Sequence, residues 1–451
     1  MPKIVIIGAG GITFPLRLAA DLLALPELHG SELVLMDLSL KRAVRTLRAV
    51  QELCAHHGVA LEAWATDDRR EALKGARYVI LTFQVGGIEA YRADLEIPRK
   101  YGVDLPAGDT LGPGGVFRFL RSAPALRDVA EDVRALCPEA WVLNYTNPMA
   151  MNCLYLASFG VRVVGLCHSI PGTARMLAEK LGVPFEELDY LAAGINHQAW
   201  FLRLEHRGAD LRPRLLERLR AEFLPEYGGS TPWTEGTSTY VGGQERVRAE
   251  LMDAFGYFVS ESSHHSSEYV PYFRKNPGLV SEYIPRRWDY LRFCIANAGK
   301  EEEQTRALVE ALKRDLTPSA EYGMQILRAL QGGRPARVYG NVVNRGYVEN
   351  LPAGACVEVP CTVDAGGVHP QPVGKLPLQC AALNQTNLLP QQLAVAAVLE
   401  QNPEHVTHAL LLDPLTAALL TPPQVQAMTA ELLQAQQRWL PEFLRPGNVR
   451  A

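Results

Sequence analysis

A chain of 451 residues exceeds what one ordinary core holds and predicts two domains. With 47% hydrophobic and 21% charged residues the composition is that of a globular protein, and a formal charge of −4 gives no general attraction to nucleic acid or anionic membranes. No apolar run approaches the roughly 20 residues needed to cross a bilayer, and the first apolar stretch meets glycine too soon for a secretory signal. The eight cysteines form no CxxC pair and no dense framework, a pattern that suits a reducing cytoplasm.

Residues 3–7 read as a buried parallel strand that breaks at Gly8-Ala9-Gly10-Gly11 and leads into a helix over about 14–25. Strand, glycine turn and helix are the first half of a dinucleotide-binding unit. Gly8 permits the tight turn, Gly10 lets the backbone approach a pyrophosphate, and the helix N-terminus favours its charge, with Gly11 in the same turn. Thr13 stands where the fingerprint has its third glycine. A second strand over 32–36 ends at Asp37, where an acid binds ribose hydroxyls and favours NAD over NADP. A β-branched run over 78–83 is followed by Gln84-Val85-Gly86-Gly87, a loop beneath the cofactor.

Asp109-Thr110-Leu111-Gly112-Pro113-Gly114-Gly115 is turn chemistry before a helix starting near Phe117. The run 141–143 enters Asn144-Tyr145-Thr146-Asn147-Pro148, and asparagines at a strand's carboxyl end face the crevice where open α/β sheets bind ligands. Asn144 is equally suited to capping the next helix; Asn147 leans to ligand contact. A strand over 162–166 brings Cys167 and His168 to the same edge, and 191–195 reads as the last strand of the first domain, ending at Asn196-His197. Beyond about residue 200 helices predominate, among them 212–223, 301–314 and 391–400, with strands at 337–343 and 356–363. The fold class is therefore α/β: a nucleotide-binding domain over 1–195 and a mixed, helix-rich second domain over 196–451.

Two residues are candidate metal ligands. Cys167 is a thiol at a strand end beside a nucleotide site, and His197 is an imidazole thirty positions later, close only if folding makes it so. Two protein ligands leave positions open for substrate oxygens, and a mixed Cys/His site does not identify the ion. Proton-transfer groups crowd 257–269, where Glu261, His264, His265, Glu268 and Tyr269 each offer an acid or a base. A tyrosine serves as a base only beside a cation that lowers its pKa.

Gly8-Ala9-Gly10, 109–115, Asn144-Tyr145-Thr146-Asn147-Pro148-Met149, Cys167-His168-Ser169-Ile170 and Gly194-Ile195-Asn196-His197 together resemble glycoside hydrolase family 4, and the likeness continues through Glu261-Ser262-Ser263, 339–342 and 350–352. The resemblance implies a fold like lactate and malate dehydrogenases, bound NAD and a divalent metal such as Mn²⁺, and a homodimer or homotetramer. It puts the metal on Cys167 and His197 and substrate contacts at Asp109, Asn144, Asn147 and His168. Tyr269 matches the family's base most nearly, with Glu261 or Glu268 as replacements. His168 stands where phosphoglycosidases carry an acid, so it, or another residue, would donate that proton. Cys-His-Ser-Ile looks like the α-galactosidase group's Cys-His-Ser-Val, which implies a small, non-phosphorylated α-galactoside as substrate.

The implied reaction is redox-assisted elimination, unlike the two-carboxylate scheme of most glycosidases. C3 of the sugar is oxidised, the C2 proton is acidified and removed, the C1–O bond breaks, water adds, and C3 is reduced again with no net oxidation. α-Glucosidase or α-glucuronidase activity by the same route is the nearest alternative. A plain NAD-dependent 2-hydroxy-acid dehydrogenase is a further one, and a nucleotide-sensing regulator without turnover a third.

Overall fold

A computed structural model describes residues 2–229, 245–284 and 290–445. Twelve strands form one sheet: β1 Lys3–Ile7, β2 Glu32–Met36, β3 Glu62–Thr66, β4 Tyr78–Leu81, β5 Trp141–Asn144, β6 Arg162–Gly165, β7 Leu188–Ile195, β8 Gln198–His206, β9 Ala209–Asp210, β10 Ala336–Val343, β11 Cys356–Asp364 and β12 Gly367–Pro370. The order is β3-β2-β1-β4-β5-β6-β10-β11-β7-β8-β9, with β12 on β11. The first six are parallel, in the 3-2-1-4-5-6 order of dinucleotide-binding sheets. Ile4, Val5, Ile6, Val79, Ile80 and Leu81 have no accessible surface, as expected of parallel strands covered on both faces.

The remaining strands pair antiparallel. β10 joins the parallel set through Asn341 opposite Gly165, and β11 meets β7 through Glu358 opposite Gly194. The segment 191–195, expected to close the first domain, lies in β7, whose partners β8 and β11 both come later in the chain. The edge strand β3 and the long β8 escaped the sequence reading. β3 is Glu-Ala-Trp-Ala-Thr, half exposed and paired only with β2, so it lacks a buried strand's apolar run.

The helix expected near Phe117 starts at Gly112 and runs to Leu136. Gly114 and Gly115 are there for contact rather than for a turn. A Cβ at Gly114 would lie 2.3 Å from the Gly108 carbonyl oxygen, and one at Gly115 would lie 2.6 Å from the Thr110 carbonyl carbon. The loop carrying Asp109 thus presses against the helix's first turn. Among the described residues no helix is long and apolar enough to cross a membrane.

Candidate active site

The glycine turn is packed between the ends of β2 and β4. Gly8, at φ +94°, and Ala9 both donate their N–H to the Met36 carbonyl, at 2.9 and 3.0 Å. A Cβ at Gly8 would stand 2.7 Å from the Phe83 nitrogen. Gly10 is small for a reason the sequence did not disclose. Its N–H donates to Asp37 Oδ2 at 2.9 Å, and a Cβ there would lie 2.6 Å from that same oxygen. Asp37 also accepts from Ser39 N–H and Arg42, while Arg45 and Thr46 donate to the Gly10 and Ala9 carbonyls, each at 2.7 Å. Helix Thr13–Leu23 follows, with no side chain capping its start, so its first turn presents backbone donors suited to an anion. Gln84 is exposed on the loop after β4.

A cavity of about 830 Å³ runs from this turn to the metal candidates. Gly11, Ile12, Phe14 and Pro15 line one end; Cys167, His168, His197, Glu261 and His265 line the other. Cys167 comes from the end of β6 and His197 from the two-residue turn between β7 and β8. Glu261 arrives from a segment laid along β8, where Ser260 N–H donates to the Ala199 carbonyl and Phe201 N–H to the Phe258 carbonyl, both at 2.8 Å. Thiol, imidazole and carboxylate atoms all lie within 4.8 Å of one another, and His197 Nε2 is 3.5 Å from Glu261 Oε2. His197 and Glu261 hold left-handed backbone, at φ 62° and 71°, a conformation non-glycine residues keep where the surroundings enforce it.

The donor set fits a divalent cation. Burial drives His197 below its ordinary pKa, towards the neutral ring a cation binds, while Glu261 opposes that shift. Burial alone would raise Glu261, but the neighbouring imidazoles, His197 first, bring its carboxyl down to about 2. Burial, with Glu358 and Glu261 adding, holds the Cys167 thiol well above its usual range. A cation must therefore displace that proton. Apparent Mn²⁺ affinity is expected to rise with pH between 6 and 8, by up to about tenfold per unit, with a proton released on binding. Calorimetry in buffers of different ionisation enthalpy checks this.

Other expected residues divide. Asp109 and Asn147 line the cavity, with Asn147 Nδ2 donating to Asp109 Oδ2 at 2.9 Å and Arg118 donating to the Asn147 carbonyl. Burial would raise Asp109, yet the charge of Arg118, followed by His265, holds it below its ordinary value. Asn144 is a correction: it is fully buried, and its amide is spent on Thr146 and Met149, shaping the turn that aims Asn147. Tyr269 is buried and does not line the cavity, but its ring lies 6.1 Å from that of His197, and its hydroxyl donates to Thr110 Oγ1 at 3.1 Å. Glu268 supports rather than reacts, accepting the N–H of Ala107 and Gly108 at 2.9 and 3.0 Å and so fixing the Asp109 loop. Burial disfavours charge on His265, but Glu268 and Glu261 outweigh it and raise the imidazole to about 9.

Two residues of the site went unseen in the sequence. Glu321 lines the cavity with an oxygen 3.2 Å from His168 Nδ1. Glu358, on β11, is pushed up to about 8, chiefly by burial. Neither sits in a motif or near its partners in sequence.

A dinucleotide-type sheet whose one cavity joins a phosphate-suited turn to a thiol–imidazole–carboxylate cluster defines an enzyme that combines nucleotide and metal chemistry on a small substrate. Residues 3–183 match the family model described as family 4 glycosyl hydrolase, and 192–416 match that family's C-terminal domain. The chain belongs to glycosyl hydrolase family 4. An α-galactosidase of Bacillus subtilis (strain 168) is 37% identical over 98% of this chain and 100% of its own length. Another, from Rhizobium meliloti (strain 1021), is 36% identical over 98% and 89%. A 6-phospho-α-glucosidase from gut microorganisms, solved in complex with NAD and Mn²⁺, superposes with a TM-score of 0.80 at 22% identity, covering 98% of this chain and 99% of the other.

Proposed function

We propose that the protein is an α-galactosidase that hydrolyses small, non-phosphorylated α-galactosides with bound NAD⁺ and Mn²⁺. The observation that carries this reading is the single cavity shared by the glycine turn and the Cys167–His197–Glu261 cluster. The two α-galactosidases of similar sequence support the sugar. Bound NAD⁺ and the cation supply reversible oxidation at the sugar's C3 and polarisation of the adjacent oxygens.

The protein's own residues do the rest. Cys167 and His197 would hold the cation, and Asn147 and Asp109, which line the same cavity, would bind sugar hydroxyls. Glu261, which lines the cavity beside His197, takes the C2 proton. His168 delivers a proton to the departing oxygen. In this reading residues 1–195 carry the nucleotide, while the later half completes the sugar site with His197, Glu261 and Glu321 and makes the contacts of a homodimer or homotetramer. Eight cysteines without a disulfide support a cytoplasmic location.

Cleavage of p-nitrophenyl α-galactoside in D₂O is expected to place deuterium at C2 of the released galactose, with dependence on both NAD⁺ and Mn²⁺. NMR showing hydrogen retained at C2 would discard elimination. A 2-hydroxy-acid dehydrogenase would instead accumulate NADH in proportion to substrate. The cofactor end has its own test. Gly10→Ala must displace the Asp37 carboxylate and is expected to weaken NADH binding by about tenfold or more, as read by fluorescence titration.

A further inference from the structure

We infer that Glu321 is a positioning residue that orients the His168 imidazole for proton delivery to the leaving-group oxygen. The inference rests on the glycosidase reading above and names a part that reading does not contain.

His168 follows Cys167 at the start of helix Ser169–Leu181, and its side chain makes no cap bond to that helix. Glu321, from 153 positions away, places Oε1 at 3.2 Å from Nδ1 of the ring. Both residues line the cavity.

The backbone segment that carries Glu321 is itself held from two sides. Upstream, Ser319 donates its N–H and its hydroxyl to the two oxygens of Asp21, at 2.7 and 2.6 Å, and Glu321 N–H donates to Ser319 Oγ at 3.2 Å. Downstream, Gly323 N–H donates to the Tyr145 hydroxyl at 2.9 Å. Asp21 lies on helix Thr13–Leu23, which starts at the glycine turn, and Tyr145 follows β5. Glu321 is thus fixed to the nucleotide-binding half of the molecule, and through it the ring of His168 is fixed too.

With Nδ1–H donated to Glu321, the proton that can leave the ring is the one on Nε2. In the elimination step Glu261 takes the C2 proton, the C2–H electron pair becomes the C1–C2 double bond, and the C1–O pair goes to the leaving oxygen. That oxygen takes the Nε2 proton, leaving a neutral ring still bonded to Glu321. Addition of water to C1 reverses the sequence and returns a proton to Nε2.

The signature of such a role is leaving-group dependence, because an activated phenolate departs without help and an alkoxide does not. Glu321→Gln is expected to lower kcat/KM for methyl α-galactoside by about 100-fold but for p-nitrophenyl α-galactoside by less than about threefold. Mn²⁺ and NADH affinities measured directly should stay within about twofold of wild type. Asp21→Asn, which loosens the loop without touching the imidazole, should show the same pattern in weaker form and serves if the first variant does not fold. An equal loss on both substrates, in either variant, overturns the inference while leaving the glycosidase reading intact. Wild-type protein that cleaves neither glycoside overturns both.

Discussion

Cys167→Ser is expected to lower glycosidase activity by about 10³-fold or more while NADH binding survives. A cation at this position stabilises developing negative charge on substrate oxygens by several kcal/mol, and each 1.4 kcal/mol is a tenfold change in rate. The thiolate is one of three donors gathered within 4.8 Å, so its loss leaves an imidazole and a carboxylate that already face each other at 3.5 Å. The nucleotide turn is built from β1, β2 and the following helices and does not depend on the sulfur. The measurement is paired: Mn²⁺ affinity by calorimetry and NADH affinity by fluorescence, alongside the rate. Serine protein that keeps wild-type Mn²⁺ affinity would remove Cys167 from the metal site. Parallel loss of NADH binding would mean that the substitution damaged the fold.

The second large effect concerns stability. Arg121 and Asp94 have no accessible side-chain surface and form a two-pronged pair, Nη2 to Oδ2 at 2.6 Å and Nη1 to Oδ1 at 2.8 Å. Gln436 bonds to both partners, and Arg121 Nε donates to the Val85 carbonyl. The network ties helices Gly87–Lys100, Gly112–Leu136 and Pro422–Gln436 together behind the Asp109 loop. Removing one member strands a charge away from water, so Asp94→Ala is expected to cost about 3–5 kcal/mol. Asp94→Leu combined with Arg121→Met should cost clearly less than the sum of the single changes, since no lone charge then remains buried. Urea denaturation of the two single variants and the double variant measures this. Additive losses would show that the pair contributes by shape rather than by charge.

What was legible in the sequence was whatever local chemistry enforces. The β1 strand, the glycine turn and Asp37 stand in sequence order because a βαβ unit is contiguous, so composition and spacing exposed them. Cys167 and His197 were legible for a related reason: each ends a strand, and strand ends in an open sheet converge on one edge. Which proton-transfer group reaches the cavity was not legible. The chain offers five proton-transfer groups between 261 and 269, and only folding shows that Glu261 and His265 line the cavity while Glu268 and Tyr269 turn inward against the Asp109 loop. Asn144 and Asn147 look alike in the sequence, yet one amide is consumed by its own turn and the other reaches Asp109.

By itself the sequence determined the class of fold, the glycine turn at its start and the two candidate metal donors, since these depend on periodicity and on short motifs whose geometry is built in. Tertiary structure alone decided which carboxylate stands beside those two candidates, which residues are withdrawn from the cavity lining, and that Glu321 meets His168. Those outcomes depend on antiparallel pairing of β7, β8, β10 and β11 and on loops anchored across hundreds of residues, where no local pattern constrains which side chains meet.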